Sequence, residues 1–317
     1  MWRTADRGVR SQVEGSPLSR RHTAVLRPEG HVTGTRLLFR ESHRSRHGHA
    51  LYGDMPVGRK GNNRVNCHVD FVDGMWTPRE RPTRGHDGPM RRLLPDPADD
   101  LGVDTVYAAP LGRHRDRPWV SLSMVSSIDG STVVAGRSGQ LSSDTDSAVL
   151  SQLRSLADVI VVGAGTVRQE GYGPPRKPGQ RIGVVTSTGD VDTTAELFTS
   201  GAGFLISPED ADHVAPHGID VLRAGTGRVD LATAIERLAA VTGNCSVVQA
   251  EGGAALNGAL AQADVLDELN ITTSPATVGG SGPRLTTRAA DHTHRYELAQ
   301  LAVDDEQFLY ARWLRRR

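Results

Sequence analysis

Two carboxylates and three glycine clusters are the residues whose types and spacing could do chemistry in this chain. Asp129 stands in Ser126-Ser127-Ile128-Asp129-Gly130, and Glu251 directly precedes Gly252-Gly253. A carboxylate beside a glycine turn can bind or protonate a substrate. The plainer readings are an ordinary Asp-Gly turn at Asp129 and a helix-start acid at Glu251. The glycine clusters are Gly163-Ala164-Gly165-Thr166, Gly252-Gly253 and Gly279-Gly280. Glycine lets backbone approach a ligand closely and adopt positive φ. A helix starting after Gly252 would offer backbone N–H groups to a pyrophosphate. No cluster matches G-x-G-x-x-G or a Walker loop. Singly, each reads as a tight turn. Three at three strand ends suggest a dinucleotide laid across the edge of a sheet.

The elements that must position these residues alternate along the chain. WVSLSMVSSI (119–128) reads as a strand ending at the Asp129 turn. Ser143 caps a helix to about Ala157, with Asp144 and Asp146 in its first turn. DVIVVG (158–163) is a continuously apolar strand of the kind buried on both faces. RIGVVTS (181–187), GFLIS (203–207) and IDVLR (219–223) repeat that signature. Asp230 caps LATAIERLAAV (231–241), which stops at Gly243, and CSVVQA (245–250) leads to Glu251. A helix then runs through Leu260, ELNITTS (268–274) is a strand closed by Pro275, and 296–303 with 307–314 form a terminal antiparallel pair. Strands alternating with helices predict an α/β fold with a mostly parallel, mixed sheet whose ligands lie beyond the strands' carboxyl ends.

Charge divides the chain. Residues 1–89 hold 16 Lys+Arg against 9 Asp+Glu, within a formal net charge of zero. Apolar residues there lack a sustained period, so the expectation is a basic extension, disordered or untranslated, with Met55, Met75 and Met90 as alternative starts to Met1. Residues 90–117, with Pro95, Pro97 and Pro110, read as a leader packing across the surface of a domain spanning 118–317. Two cysteines, Cys67 and Cys245, make neither a disulfide framework nor a cysteine zinc site, and no metal is expected. No apolar run approaches the ~20 residues that span a bilayer. The expected location is the cytoplasm.

The segments SSIDG, ADVIVVGAGTVRQEGY (157–172), VVTS (184–187), QAEGGAALNGAL (249–260) and DELNITTSPATVGG (267–280), in that order, resemble the reductase domain of the pyrimidine reductases of riboflavin biosynthesis. The resemblance covers about residues 118–317. It implies a dihydrofolate reductase-like three-layer α/β/α fold with a C-terminal antiparallel hairpin, NADPH as cofactor and a homodimer. The reaction implied is hydride transfer to C1′ of a phosphorylated ribosylaminopyrimidine. By this resemblance Gly163, Gly165, Thr166, Val167, Thr186, Ser187, Gly252, Gly253 and Ala254 hold the cofactor. Asp129 and Glu251 are catalytic, and Ser127, Ser138, Ser142 and Arg168 meet the substrate.

The chain departs from the family pattern in three places. Residues 1–117 lack the H-x-E and P-C-x-x-C ligands of the zinc deaminase that precedes the reductase in bifunctional members. Ser123 replaces a lysine common six residues before the SSIDG aspartate, and Ser187 replaces an arginine suited to a cofactor 2′-phosphate. Arg168 or Arg181 could substitute for the latter. Other readings are a reductase of another heterocycle, such as a dihydropterin, and an NADP-binding module without turnover; the paired carboxylates argue against the second. A nucleic-acid role for residues 1–89 has charge but no binding motif.

Overall fold

The computed structural model describes residues 88–212 and 217–317, together with the backbone strands at 69–72 and 75–78. Two compact units divide the chain, Met1–Thr83 and Arg84–Arg317. In the first, β1 (Val69–Val72) pairs antiparallel with β2 (Met75–Pro78). The expectation of a disordered or untranslated extension otherwise lies outside the described residues.

The second unit is built on an eleven-stranded sheet. In chain order its elements are β3 (Met90–Leu94), β4 (Ala98–Leu101), α1 (Val103–Val106), β5 (Trp119–Ser127), α2 (Asp144–Leu156), β6 (Val159–Gly163), α3 (Ala164–Glu170) and β7 (Arg181–Val185). There follow α4 (Glu196–Thr199), β8 (Gly203–Ser207), β9 (Val221–Arg223), α5 (Leu231–Arg237), α6 (Ala239–Thr242) and β10 (Val247–Ala250). Last come α7 (Ala254–Gln262), β11 (Glu268–Ser274), β12 (Arg295–Asp304) and β13 (Leu309–Arg316). The strand order is β4-β3-β12-β13-β11-β5-β10-β6-β7-β8-β9. Pairings from β11 through β5 to β9 are parallel, and those among β11, β13, β12, β3 and β4 are antiparallel. The sheet is therefore mixed and mostly parallel, with the terminal hairpin as expected.

Both faces of the parallel part are covered. Val159 and Val161 pack with α5 and α7, while Ile160 and Val162 pack with α3 and α4; all four valine and isoleucine side chains are fully buried. Burial of each contributes about 1.5–3 kcal/mol, which accounts for the continuous apolar signature of 158–163. Helix α2 starts where Ser143 Oγ accepts the Asp146 N–H at 3.1 Å. The single helix expected over 231–241 is instead two pieces, α5 and α6, with a stop at Gly243, whose φ is +77°.

Residues 90–117 are not a surface leader throughout. β3 pairs with β12 and β4 lies outside it at the sheet edge. Met90, Val103, Val106 and Tyr107 are buried against α2 and the terminal hairpin. The Gln300 and Gln152 side-chain amides donate to Val106 O and Tyr107 O, each at 3.0 Å. The strand signal was obscured by Arg91 and Arg92 within β3, by Pro95 after it, and by Asp99 and Asp100 in β4, an edge strand of the kind that tolerates charge.

Candidate active site

The GAGT and EGG segments meet at the carboxyl ends of β6 and β10. Gly163 N donates to Gly252 O at 2.7 Å, and Glu251 N to Val161 O at 3.0 Å. The first segment is not a free turn: Gly163 caps α3, and Gly165, Thr166 and Val167 lie inside it. Gly252 has φ +84°, and a Cβ there would stand 2.7 Å from Met124 Cε. A Cβ at Gly253 would stand 2.8 Å from Thr166 Oγ1. The positive φ at Gly252 favours glycine, a side chain at Gly253 would press on Thr166, and the pair leaves bare backbone at the start of α7. The first-turn amides of α7, beginning at Ala254, have no intrahelical carbonyl to satisfy them. This cradle suits a dinucleotide pyrophosphate.

Glu251 turns under α2. Its side chain is 2% exposed, and Arg154 grips both carboxylate oxygens at 2.6 Å through Nε and Nη2. The Tyr172 hydroxyl donates to Glu251 Oε2 at 2.9 Å, and the Arg154 guanidinium sits 5.5 Å from the centre of the Tyr172 ring. Burial, then the Glu251 charge, push the Tyr172 hydroxyl well above its usual range, so it stays a donor. The loop carrying Tyr172 is tied to the end of α2: Gln180 Nε2 donates to Arg154 O at 2.7 Å, and Lys177 Nζ to Ala157 O at 2.7 Å.

Arg154 and Tyr172 also line a groove of about 1350 Å³, together with Ser138, Glu170 and Arg176. Arg176 is exposed and has no hydrogen bond or ion pair among the described residues. Ser138 is held to α3 by its N–H and hydroxyl, which donate to Glu170 Oε1 at 2.9 and 3.0 Å.

Asp129 is engaged differently. It accepts from the Ser127 hydroxyl at 2.5 Å, from Val278 N at 3.1 Å and from Gly279 N at 2.7 Å. These bonds, the Ser127 hydroxyl first, hold its carboxyl down to about 2. The carboxylate thus latches the turn after β5 to the Gly279-Gly280 turn after β11. Asp129 and Glu251 end neighbouring strands, yet each is engaged by a separate set of groups.

The remaining expected residues scatter. The Ser142 hydroxyl donates to Asp146 Oδ2 at 2.5 Å, and Thr186 Oγ1 accepts from Gly189 N at 3.0 Å. Ser187 is exposed at the end of β7. Arg168 does not line the groove; it bonds Asp190 O and lies 3.3 Å from Asp190 Oδ2. Arg181 opens β7, at the opposite end of the sheet, where it pairs with Asp220 at 2.7 Å and lies over the Phe204 ring. It is therefore too far along its strand to reach a cofactor at the carboxyl edge. Sequence reasoning missed Arg154, Tyr172 and Arg176. Arg154 reads as an ordinary basic residue in a helix's last turn, and only its contact with Glu251, 97 positions on, reveals more.

The fold is an α/β sheet whose cradle is of the kind that holds a nucleotide, and comparison with known proteins identifies the family. The RibD C-terminal domain family matches residues 118–310, so the chain belongs to that family. The 2,5-diamino-6-ribosylamino-4(3H)-pyrimidinone 5′-phosphate reductase of Methanothermobacter thermautotrophicus is 27% identical over 183 residues, 53% of this chain and 82% of that protein. The protein of the same name from Archaeoglobus fulgidus is 27% identical over 184 residues, 52% and 83% of the two chains. A pyrimidine reductase-like protein from Corynebacterium diphtheriae superposes with a TM-score of 0.58 at 24% identity, over 68% of this chain and 98% of that one. The riboflavin biosynthesis reductase of Saccharomyces cerevisiae gives 0.52 at 19% identity, over 67% and 96%. These two structures share the fold. A family of reductases implies a nicotinamide cofactor. No helix among the described residues is long and apolar enough to cross a membrane.

Proposed function

We propose that the chain is an NADPH-dependent reductase of a phosphorylated ribosylaminopyrimidine in riboflavin biosynthesis. The substrate is either 5-amino-6-(5-phosphoribosylamino)uracil or its 2,5-diamino pyrimidinone counterpart, named for the two archaeal relatives. The observation that carries this reading is the wall formed by Glu251, Arg154 and Tyr172. It stands between a glycine cradle fitted to a dinucleotide and a polar groove with a free cation, Arg176.

The residues divide the work as follows. Gly163, Gly165, Thr166 and Val167 at the start of α3, with Gly252, Gly253 and Ala254, hold the cofactor's pyrophosphate region by backbone. When bound, the nicotinamide would supply a hydride to C1′ of the ribosylamino group, with the C1′–O4′ bond broken and a proton from water taken up at O4′, giving the open ribityl chain. Arg176, in the groove that Arg154 also lines, meets the substrate phosphate through charge-assisted hydrogen bonds. Glu251 holds the Arg154 and Tyr172 side chains in place where they line the groove. Ser138, in the groove wall, contacts the substrate. Ser127 and Asp129 act one step back, by ordering the turn that closes this end of the sheet, and Ser142 orders the start of α2. Hydride transfer needs donor and acceptor about 3–3.5 Å apart, and rigid strand ends provide that placement.

The test is cofactor oxidation by the purified chain with each of the two pyrimidine phosphates. Turnover with one and little with the other fixes the substrate. No oxidation with either, under conditions where NADPH binds, would overturn the reading.

A further inference from the structure

The geometry of the cradle decides where the far end of a dinucleotide falls. The reacting end must meet substrate near Glu251, at the β10 end. The adenosine end therefore runs the other way, across β6 to β7, two strands on and about 10 Å distant at ~4.8 Å per strand. Arg168 and Asp190 meet there, and Ser187 lies in the same loop after β7 as Asp190. Arg168 Nη2 lies 4.0 Å from the position of a Cβ on Gly165, so the guanidinium hangs over the start of α3. Its Nη1 bonds Asp190 O and stands 3.3 Å from Asp190 Oδ2, in the loop after β7. The exposed Ser187 hydroxyl in that loop has no hydrogen-bond partner among the described residues. The loop is closed on itself by Gly189 N donating to Thr186 Oγ1, which fixes its path.

A cation at this place favours a dianionic 2′-phosphate, and a carboxylate favours a bare ribose 2′-hydroxyl. This chain has one of each, in contact. We propose that Arg168 and Asp190 are the pair that sets cofactor preference. The guanidinium, with the Ser187 hydroxyl, receives the adenosine 2′-phosphate, and the Asp190 carboxylate weakens the preference for that phosphate over a 2′-hydroxyl. The assignment moves Arg168 from the substrate to the cofactor. It rests on the cofactor reading above, and it explains how a chain with serine at position 187 keeps a cation for the phosphate.

The experiment is a fluorescence titration of the purified full-length chain with NADPH and with NADH, at low and moderate salt. Removing one like charge a few ångströms from a phosphate at a protein surface changes affinity by about tenfold. Asp190→Asn should therefore raise the ratio of NADPH to NADH affinity about tenfold, and Arg168→Gln should lower it by a similar factor. The ratio should also fall as salt rises, because the pair is exposed. If the wild type binds both dinucleotides and neither variant moves the ratio by more than twofold, the assignment is overturned while the cofactor reading stands. If the wild type binds neither, both fall together.

Discussion

Glu251 is where the chemistry of single residues is concentrated. Its carboxylate is fully coordinated by Arg154 and Tyr172, so it serves as a fixed acceptor rather than a free base. Glu251→Gln keeps the size but loses the charge that the Arg154 fork requires. Loosening groups that position a substrate costs about 10²-fold in rate; kcat should fall by about that factor while NADPH affinity, read by fluorescence, changes little. Gly253→Val should act in the opposite sense. Its side chain would strike Thr166 Oγ1, so the KM for NADPH should rise steeply or binding vanish. A pattern with the two effects exchanged would refute the division into cofactor and substrate sides. A third residue gives a pH test. Asp146 at the start of α2 is buried and its pKa is raised, by burial first, with the like charge of Asp304 adding to it. An acid whose folded pKa exceeds its unfolded value loses stability as pH rises through that window. Asp146→Asn should accordingly raise Tm at neutral pH, and the gain should shrink in mildly acidic buffer. A gain independent of pH would show that the charge is not the cause.

Elements with one dominant signal were legible from sequence. The β6 and β8 runs, the Ser143 cap of α2 and the Pro275 boundary of β11 each state their structure within a few residues, because burial on both faces or a capping hydroxyl leaves a local mark. Gly252 was legible as a position of special backbone for the same reason, since its φ of +84° suits glycine alone. What sequence did not show depends on long-range contact. Arg154 meets Glu251 only after β10 and α2 have packed, and α3 is too short to carry a clear helical period. β3 and β4 escaped notice because β4 is a charged edge strand and β3, next to it, carries Arg91 and Arg92. Their place in the sheet makes a prediction. A chain cut to residues 90–317 keeps Met90 and Tyr107 in the core and should melt within a few degrees of the full chain. One cut to 118–317 loses both, together with Val103 and Val106. Deleting large buried side chains costs about 2–5 kcal/mol each, comparable in sum to the whole stability of a domain. The shorter chain should fail to give a cooperative melt by circular dichroism. Equal melting of the two truncations would show that the β3–β4 addition is dispensable.

At the scale of the whole molecule, the antiparallel end of the sheet poses a question of solubility. The α2 side of that end is covered by α1 and α2. On the other side, Leu94, Leu301 and Ala311 follow one another across β3, β12 and β13 in register, and Leu309 lies two residues from Ala311 on the same face of β13. None of them joins a core cluster packed under the described helices, and Leu94 and Leu309 are each 41% exposed. The outer edge beside them, β4, is short and carries exposed Asp99 and Asp100, which blunts strand-to-strand addition. Association should then use the face rather than the edge. We propose a homodimer closed by this face about a two-fold axis, since an apolar patch is complementary to itself in that arrangement. Light scattering at micromolar concentration should return the mass of a dimer. Leu309→Lys places a charge in the patch on an already exposed position, so it should shift the mass toward the monomer without lowering the monomer's melting temperature by more than a few degrees. A wild-type chain that is monomeric at that concentration would rule the dimer out. A Leu309→Lys chain that remains dimeric would move the interface to another surface.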